Sequence, residues 1–374
     1  MINKERMLAE FFELVRIKCS SKAERQVADV LKGRLIELGL EVFEDNAGEK
    51  IGGNCGNIIA YAKATMNNAP AMLFTAHMDC VEPCGGIEPQ LKNGVITSTG
   101  DTILGGDDKA GITAILEALR IINEKGIAHG PIQVIFTVSE EGGLNGAKHI
   151  DPSFLKADFG YALDSSGEPG EIIHMAPGQN SIVAVVHGKK AHAGIAPEEG
   201  INAIVVAGKA LAEMKYGKVD FETTANIGLI QGGIATNIVP DQVEIRCEAR
   251  SRNMEKLEAQ SNHMKETFEN VAAANGARSE VQVKKAYDSF VLPIDSMVVS
   301  LVAKAAQSIG LKPEIKGTGG GSDANFFNKY GVPMAVLGIG MKKVHTAEEY
   351  IREVDLYNSA ELVIAIIKNS GIEE

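Results

Sequence analysis

Imidazole and carboxylate residues recur in this chain at the ends of apolar runs. The stretch Ala71-Met-Leu-Phe-Thr-Ala-His77-Met-Asp79 stops on a histidine and an aspartate two residues apart. Side chains alternate along a strand, so His77 and Asp79 can face the same side. The pattern returns downstream: Ile132–Val138 is followed by Ser139-Glu140-Glu141-Gly142-Gly143, Phe159–Leu163 by Asp164, and Met334–Ile339, a short way on, by His345. With Asp107, in Gly105-Gly106-Asp107-Asp108-Lys109-Ala110-Gly111, these residues carry more carboxylates than one catalytic zinc uses. Imidazole mixed with carboxylate favours zinc, manganese or cobalt over calcium. A pair of such ions, bridged by one carboxylate, would polarise a carbonyl and make a hydroxide available near neutral pH. One acid must stay off the metals to accept the proton of that water, and adjacent glutamates can divide those two tasks.

Each piece alone also has a plain reading. Asp107-Asp108 could cap the helix that begins at Lys109, Glu140-Glu141 could be a solvated strand end, and His345 could start a helix. The conjunction points to a site: four strands deliver acid or imidazole near their C-terminal ends, where open α/β sheets hold their ligands.

The elements that must position these groups follow an alternating pattern. Apolar spacing predicts two helices in the first 40 residues, with Ser20-Ser21 and Glu24 as the N-terminal cap of the second. Strands are expected at 41–43, 57–61 and 72–77, a helix to about Asn123, strands at 132–138 and 159–164, and a short helix near Ala147. At Pro177-Gly178 the pattern changes to β, α, β, β, α, β through about residue 285, the ferredoxin-like split unit. The first pattern then resumes with helix 296–309, the glycine run Gly317–Gly321, strand 333–338 and helix 355–369. The expected fold is therefore α/β with two domains. A metal-binding sheet domain spans 1–177 and 291–374, and a lid or dimerisation domain at 178–290 is inserted into it.

Composition bounds the alternatives. The chain has 374 residues, 45% hydrophobic and 23% charged, enough apolar material for two cores. A net charge of −12 argues against a nucleic-acid binder. No apolar run approaches a membrane span, and the start is too charged for a signal peptide, so a cytoplasmic protein is expected. Five scattered cysteines read as reduced thiols; Cys80 and Cys84 lack the second pair a structural zinc site would want.

The residues His77-Met-Asp79, Gly105–Gly111, Ser139-Glu140-Glu141-Gly142, Asp164, His192, Asn237, Arg250 and His345-Thr-Ala-Glu348-Glu349-Tyr350 together resemble the co-catalytic dizinc peptidases. That family includes peptidase T, carboxypeptidase G, the aminoacylases and succinyl-diaminopimelate desuccinylase. The likeness covers nearly the whole chain and is strongest to the peptidase T-like branch. It implies two zinc ions, with cobalt or manganese also suited. Asp107 would bridge them, His77 and Asp164 completing one site, Glu141 and His345 the other. It further implies that Asp79 fixes the His77 ring, that Glu140 is the general base, and that His192 donates to the developing oxyanion, often from the partner subunit of a homodimer built through the lid. Asn237 and Arg250 would hold polar and carboxylate groups of a small peptide. The Gly317–Gly321 loop fails as a dinucleotide fingerprint; its glycines would form an amide nest, with Gly320, Gly321 and Ser322 binding the substrate. The chain has Ser322-Asp323-Ala324 where a tripeptidase is expected to have threonine, aspartate and glycine.

The reading that results is a tripeptide aminopeptidase. Within the family the alternatives are an N-acyl amino acid amidohydrolase or a carboxypeptidase; outside it, an inactive homologue that binds peptide or metal.

Overall fold

The longest apolar runs of the chain become strands buried on both faces, as parallel strands under helices must be. In the computed structural model, which describes residues 2–371, the chain forms two compact units. The first comprises the residues through Met175, Leu292–Gly317 and those from Ser322 onward; the second comprises Ala176–Val291 with Thr318–Gly321.

In the first unit the strands stand in the order Glu41–Glu44, Ile58–Ala62, Ile132–Thr137, Met72–His77, Phe159–Ser165, Met334–Gly338 and Glu171–Ala176, with Glu314–Gly317 beside the last. The strand Met72–His77 runs parallel to both Ile132–Thr137 and Phe159–Ser165, and Met334–Gly338 runs parallel to the latter. All four therefore end on one edge. His77 is the last residue of its strand and Asp164 the last but one of its own. The α/β class expected from the alternating pattern is what is found.

Helix Gly106–Lys125 is buried through most of its length and ends on Gly126, whose left-handed φ of 59° makes it a C-terminal cap. It packs against helices Lys4–Arg16 and Glu353–Asn369. Helix Lys4–Arg16 is capped by Asn3, whose side chain accepts from the Arg6 amide. The cap expected for the next helix, Arg25–Glu37, does not form. Ser20 Oγ donates to Glu82 at 2.5 Å and Ser21 Oγ to Asp79, while Glu24 turns inward and accepts from the amides of Lys22 and Ser139. Carboxylates of Glu82 and Asp79 take the serine hydroxyls, and the buried Ser139 amide takes Glu24, in place of the local capping geometry.

An ion-pair cluster ties this helix to the sheet edge: Arg25 and Lys32 both reach the Glu44 carboxylate. Burial alone would raise Glu44, but hydrogen bonds from Arg25, the Gly56 amide and Lys32 hold it down to about 2. A depressed carboxylate stabilises the fold above its unfolded pKa, and that contribution disappears as pH falls through the folded value. The cluster is partly solvated, so its worth is reduced by screening. Glu44→Gln should therefore cost about 1 kcal/mol at pH 7 and progressively less below pH 4.5. Urea unfolding of both proteins at pH 7 and pH 3 measures the difference; an equal cost at both pH values would contradict it.

A small antiparallel sheet of Met341–Lys342, Tyr350–Arg352, Val95–Ser98 and Pro89–Lys92 completes this unit. It was not apparent in the sequence, because strands of two to four residues carry no measurable periodicity. Its hairpin loop, residues 343–349, presents His345.

The second unit is a five-stranded antiparallel sheet in the order Gly217–Lys218, Thr223–Gly232, Gln242–Ser251, Gly178–His187 and Arg278–Tyr287. Its four long strands and the helices Ala203–Glu213 and Met254–Ala274 follow one another as β, α, β, β, α, β, with the first long strand between the third and fourth. Ile182, Ala184 and Val186 alternate inward from one strand, Val243, Ile245, Cys247 and Ala249 from its neighbour, and Leu257, Met264 and Phe268 cover them from the longer helix. Asn202 and Asn253 cap the two helices.

Candidate metal centre

The fully buried strand Met72–His77 ends by aiming an imidazole at acids from three other elements. Nε2 of His77 lies 3.0 Å from Asp107 Oδ1 and 3.9 Å from Asp164 Oδ1. Its other nitrogen, Nδ1, is 3.0 Å from the carbonyl oxygen of Asp79 and 3.4 Å from Oδ1 of that residue. Hydrogen on Nδ1 therefore has acceptors, which leaves the Nε2 lone pair directed at the acidic cluster, the tautomer a metal ligand requires. Asp79 is held in turn by Ser21 Oγ and by the amides of Glu140, at 2.9 Å, and Glu141, at 3.2 Å.

Asp107 sits at the start of helix Gly106–Lys125 with non-helical backbone angles, and a cis peptide joins it to Asp108. Its carboxylate spans the site: Oδ1 faces His77 Nε2, while Oδ2 is 3.4 Å from His345 Nε2. His345 Nε2 is also 2.8 Å from Glu141 Oε1. Three groups of donors have atoms within 4.8 Å of one another: His77 with Asp107 and Asp164, Asp107 with Glu141 and His345, and His77 with Glu140 and Glu141. Asp107 belongs to both of the first two, one oxygen turned to each. Asp108 does cap the helix, accepting from the Gly111 amide at 3.1 Å. Gly111 is required there, since a Cβ would lie 2.5 Å from the carbonyl oxygen of Leu163, beside Asp164.

The electrostatics fit cations. Burial raises Glu140, Asp164 and Asp108 well above the usual carboxylate range, and neighbouring acids add to the effect. Burial opposes charge on His77, yet the carboxylates of Asp107 and Asp79 hold its pKa well above the ordinary value. Hydrogen bonds to Asp107 and Glu141 push His345 up to about 10. Two imidazoles cannot neutralise this many buried acids, whereas two divalent ions on the same donors would.

Several contributors were not recognised as such in the sequence. Glu349 is buried and accepts from the amides of Leu104 and Gly105, both at 2.8 Å, and of Asp107 at 3.0 Å. The 343–349 loop thus supplies His345 and also clamps the backbone that carries Asp107. Thr346 braces that loop, Oγ1 donating to the Lys343 carbonyl at 2.7 Å. Glu349→Gln leaves one acceptor oxygen in place of two and is expected to weaken metal affinity roughly tenfold to a hundredfold. A competitive chelator titration measures this; unchanged affinity would mean that the clamp does not position Asp107. Glu24, misassigned as part of a cap, is pushed up to about 7 by burial and the Asp79 charge. Asp323 takes a 2.5 Å hydrogen bond from Thr137 and is pushed up to about 6 by burial.

Most of the remaining expected site residues belong to the second unit. His192 and Ile238 face each other across a two-residue ladder, and the Ala193 amide donates to the Asn237 carbonyl at 3.0 Å, so His192 and Asn237 are neighbours there. Both are exposed. His192 Nδ1 accepts from the amides of Gly194 and Ile195. Arg250 donates to the Glu248 carboxylate at 2.9 and 3.1 Å and borders a small cavity shared with Arg252, Thr223 and Thr318. None of Gly319, Gly320 and Gly321 has a left-handed φ, so the alternating backbone of an amide nest is not formed; Gly321 instead packs on the Tyr287 ring. Ser322, in the first unit, has a buried Oγ.

A mixed α/β sheet whose parallel strands end in an imidazole and acids, with one carboxylate between that imidazole and a second one from a hairpin loop, defines a metallohydrolase of the dinuclear type. The chain belongs to peptidase family M20/M25/M40, whose model it matches over residues 73–369. Among relatives, the YqjE protein of Bacillus subtilis (strain 168) is 45% identical over 371 residues, covering 99% of this chain and all of the other. Among solved structures, the aminopeptidase PepT of Bacillus cereus ATCC 10987 is 46% identical with a TM-score of 0.92, covering 99% of this chain and 100% of that one. A tripeptidase of Staphylococcus aureus subsp. aureus Mu50 is 42% identical with a TM-score of 0.95, covering 99% of each.

Proposed function

We propose that this enzyme is an aminopeptidase that cleaves tripeptides from their free amino end, with two metal ions, zinc in the first instance, at the centre described above. The observation that carries the reading is the Asp107 carboxylate, which offers one oxygen to the His77 side and the other to the His345 side. The full-length likeness to the B. cereus aminopeptidase and the S. aureus tripeptidase supports the substrate class.

His77 and Asp164 would hold one ion and Glu141 and His345 the other, with Asp107 shared. Zinc, cobalt and manganese all suit this donor set. When bound, such ions polarise the scissile carbonyl and lower the pKa of water. The protein's own part is to orient and to move protons. Asp79 fixes the His77 ring. Glu140, whose backbone amide is anchored on Asp79, takes the proton of the attacking water on a carboxylate oxygen and delivers it to the leaving amine nitrogen. His192 donates to the carbonyl oxygen as negative charge builds on it, and Arg250 exchanges Glu248 for the peptide's carboxylate. Asn237 and the Gly320-Gly321-Ser322 segment hold the peptide's polar groups.

We assign the second unit to lid and dimer contacts. Residues 226–232 form an open sheet edge, and Ile204, Val205, Ile230 and Ile234 are exposed large apolar side chains in that unit. A homodimer would cover them and would let His192 act in the partner's site. Five free cysteines fit a reducing, cytoplasmic setting. Among the described residues no helix is long and apolar enough to cross a membrane.

A four-substrate panel tests the reading with added zinc or cobalt: a free tripeptide, its N-acetylated form, its C-terminally amidated form, and an N-acetyl amino acid. Cleavage confined to peptides with a free amino end is expected. Cleavage that needs the free carboxylate and ignores the amino end would move the enzyme to the carboxypeptidase or amidohydrolase branch.

A further inference from the structure

Behind the metal centre lies a cluster that the reaction does not use. Cys19 and Cys80 are both buried, with their sulfurs 3.7 Å apart. The two backbones are fixed side by side, the Cys80 amide donating to the Cys19 carbonyl at 2.9 Å. Lys109, fully buried, puts Nζ 3.3 Å from Cys80 Sγ and donates to the Met78 carbonyl. Among the described residues no carboxylate pairs with this ammonium; its charge faces sulfur. Cys80 Sγ also lies 3.5 Å from the Asp107 carbonyl oxygen, and Cys80 follows directly on Asp79.

We infer that Cys19 and Cys80 are a redox-modification site, closing reversibly to a disulfide that slows the enzyme. The sulfurs need to approach from 3.7 Å to about 2 Å, on backbones already held in register. A hydroperoxide is the oxidant. One sulfur, as thiolate, attacks the distal peroxide oxygen; the S–O bond forms, the O–O bond breaks, and hydroxide or alkoxide leaves. The second thiol, losing its proton, displaces hydroxide from the sulfenic acid, so that the S–S bond forms and water departs. Two thiols are oxidised and one peroxide is reduced. The Lys109 ammonium favours the thiolate that begins the sequence.

The consequence reaches the centre by one covalent neighbour, Asp79, and one contact, the Asp107 carbonyl. Drawing Cys80 toward Cys19 takes its sulfur away from Lys109 and disturbs its contact with the Asp107 carbonyl, while pulling on Asp79, the residue before it. Displacement of groups that support metal ligands costs roughly tenfold to a hundredfold in affinity or activity.

The metal-loaded enzyme is treated with hydrogen peroxide at increasing ratio, alkylated before unfolding, digested and mapped by mass spectrometry, with activity and bound metal followed in parallel. A linked peptide joining Cys19 to Cys80 is expected. With it, activity should drop about tenfold and return with dithiothreitol, while Cys19→Ser keeps its activity under the same treatment. Linkage through Cys84 in place of either partner would overturn the assignment, as would absence of any linked peptide. A linked peptide with unchanged activity and metal content would overturn the control of the centre. The mass readout does not depend on which peptide is cleaved, so it separates this inference from the substrate assignment.

Discussion

Glu140→Gln is expected to lower kcat by roughly three orders of magnitude while KM and metal content stay near those of the parent. The amide keeps the size of the carboxylate and can keep the backbone bond to Asp79, but it cannot accept and return a proton. Glu140 appears with His77 and Glu141 in one donor group, and burial raises it well above the usual carboxylate range. A variant that lost a metal equivalent would instead make Glu140 a ligand, and unchanged turnover would take it out of the mechanism. Steady-state kinetics together with elemental analysis of the same preparation separates the three outcomes.

Asp107→Ala should be the more damaging change. Its two oxygens face two different imidazoles, so its loss leaves each side of the centre one donor short and brings His77 and His345 together without the anion between them. Both metal equivalents are expected to be lost on dialysis, and activity to fall by roughly three orders of magnitude or more, the scale on which metal-assisted activation of water operates. His345→Ala, which touches one side only, should lose one equivalent. If Asp107→Ala retained two equivalents, the shared carboxylate would be refuted.

Four residues of the centre were visible in the sequence because they follow continuous apolar runs, which here are strands, whereas Asp107 opens a helix and His345 stands on a hairpin loop. His77, Glu140, Glu141 and Asp164 could be located by that rule. The two-residue spacing of His77 and Asp79 placed both on one side of the strand, and the family resemblance implied that Asp79 would hold the ring. Glu349 was legible only as one of two adjacent acids after a histidine; its three amide donors come from residues more than 240 positions away, and no local pattern encodes that. Glu24 shows the opposite failure. Its spacing from Ser20 and Ser21 fits a capping box, yet the two serines donate to Glu82 and Asp79 and Glu24 accepts from the buried Ser139 amide, partners that no local pattern encodes. The glycines of 317–321 suggested a nest, but a nest depends on the sign of φ, which a run of glycines leaves open.

The two imidazoles of the centre are mounted very differently. His77 closes a strand buried on both faces and is 2% exposed at its side chain; His345 stands on a hairpin loop, with a left-handed φ of 64° and half of its side chain in solvent. An ion held by His77 would have a ligand buried at a strand end, while one held by His345 would depend on a half-exposed ligand on a loop. The two positions should therefore exchange their ions at different rates, the His345 side first. A brief exposure to chelator would then produce a homogeneous one-ion enzyme, and refilling with a second element would give a defined hetero-metal pair whose order of loading is set by the fold.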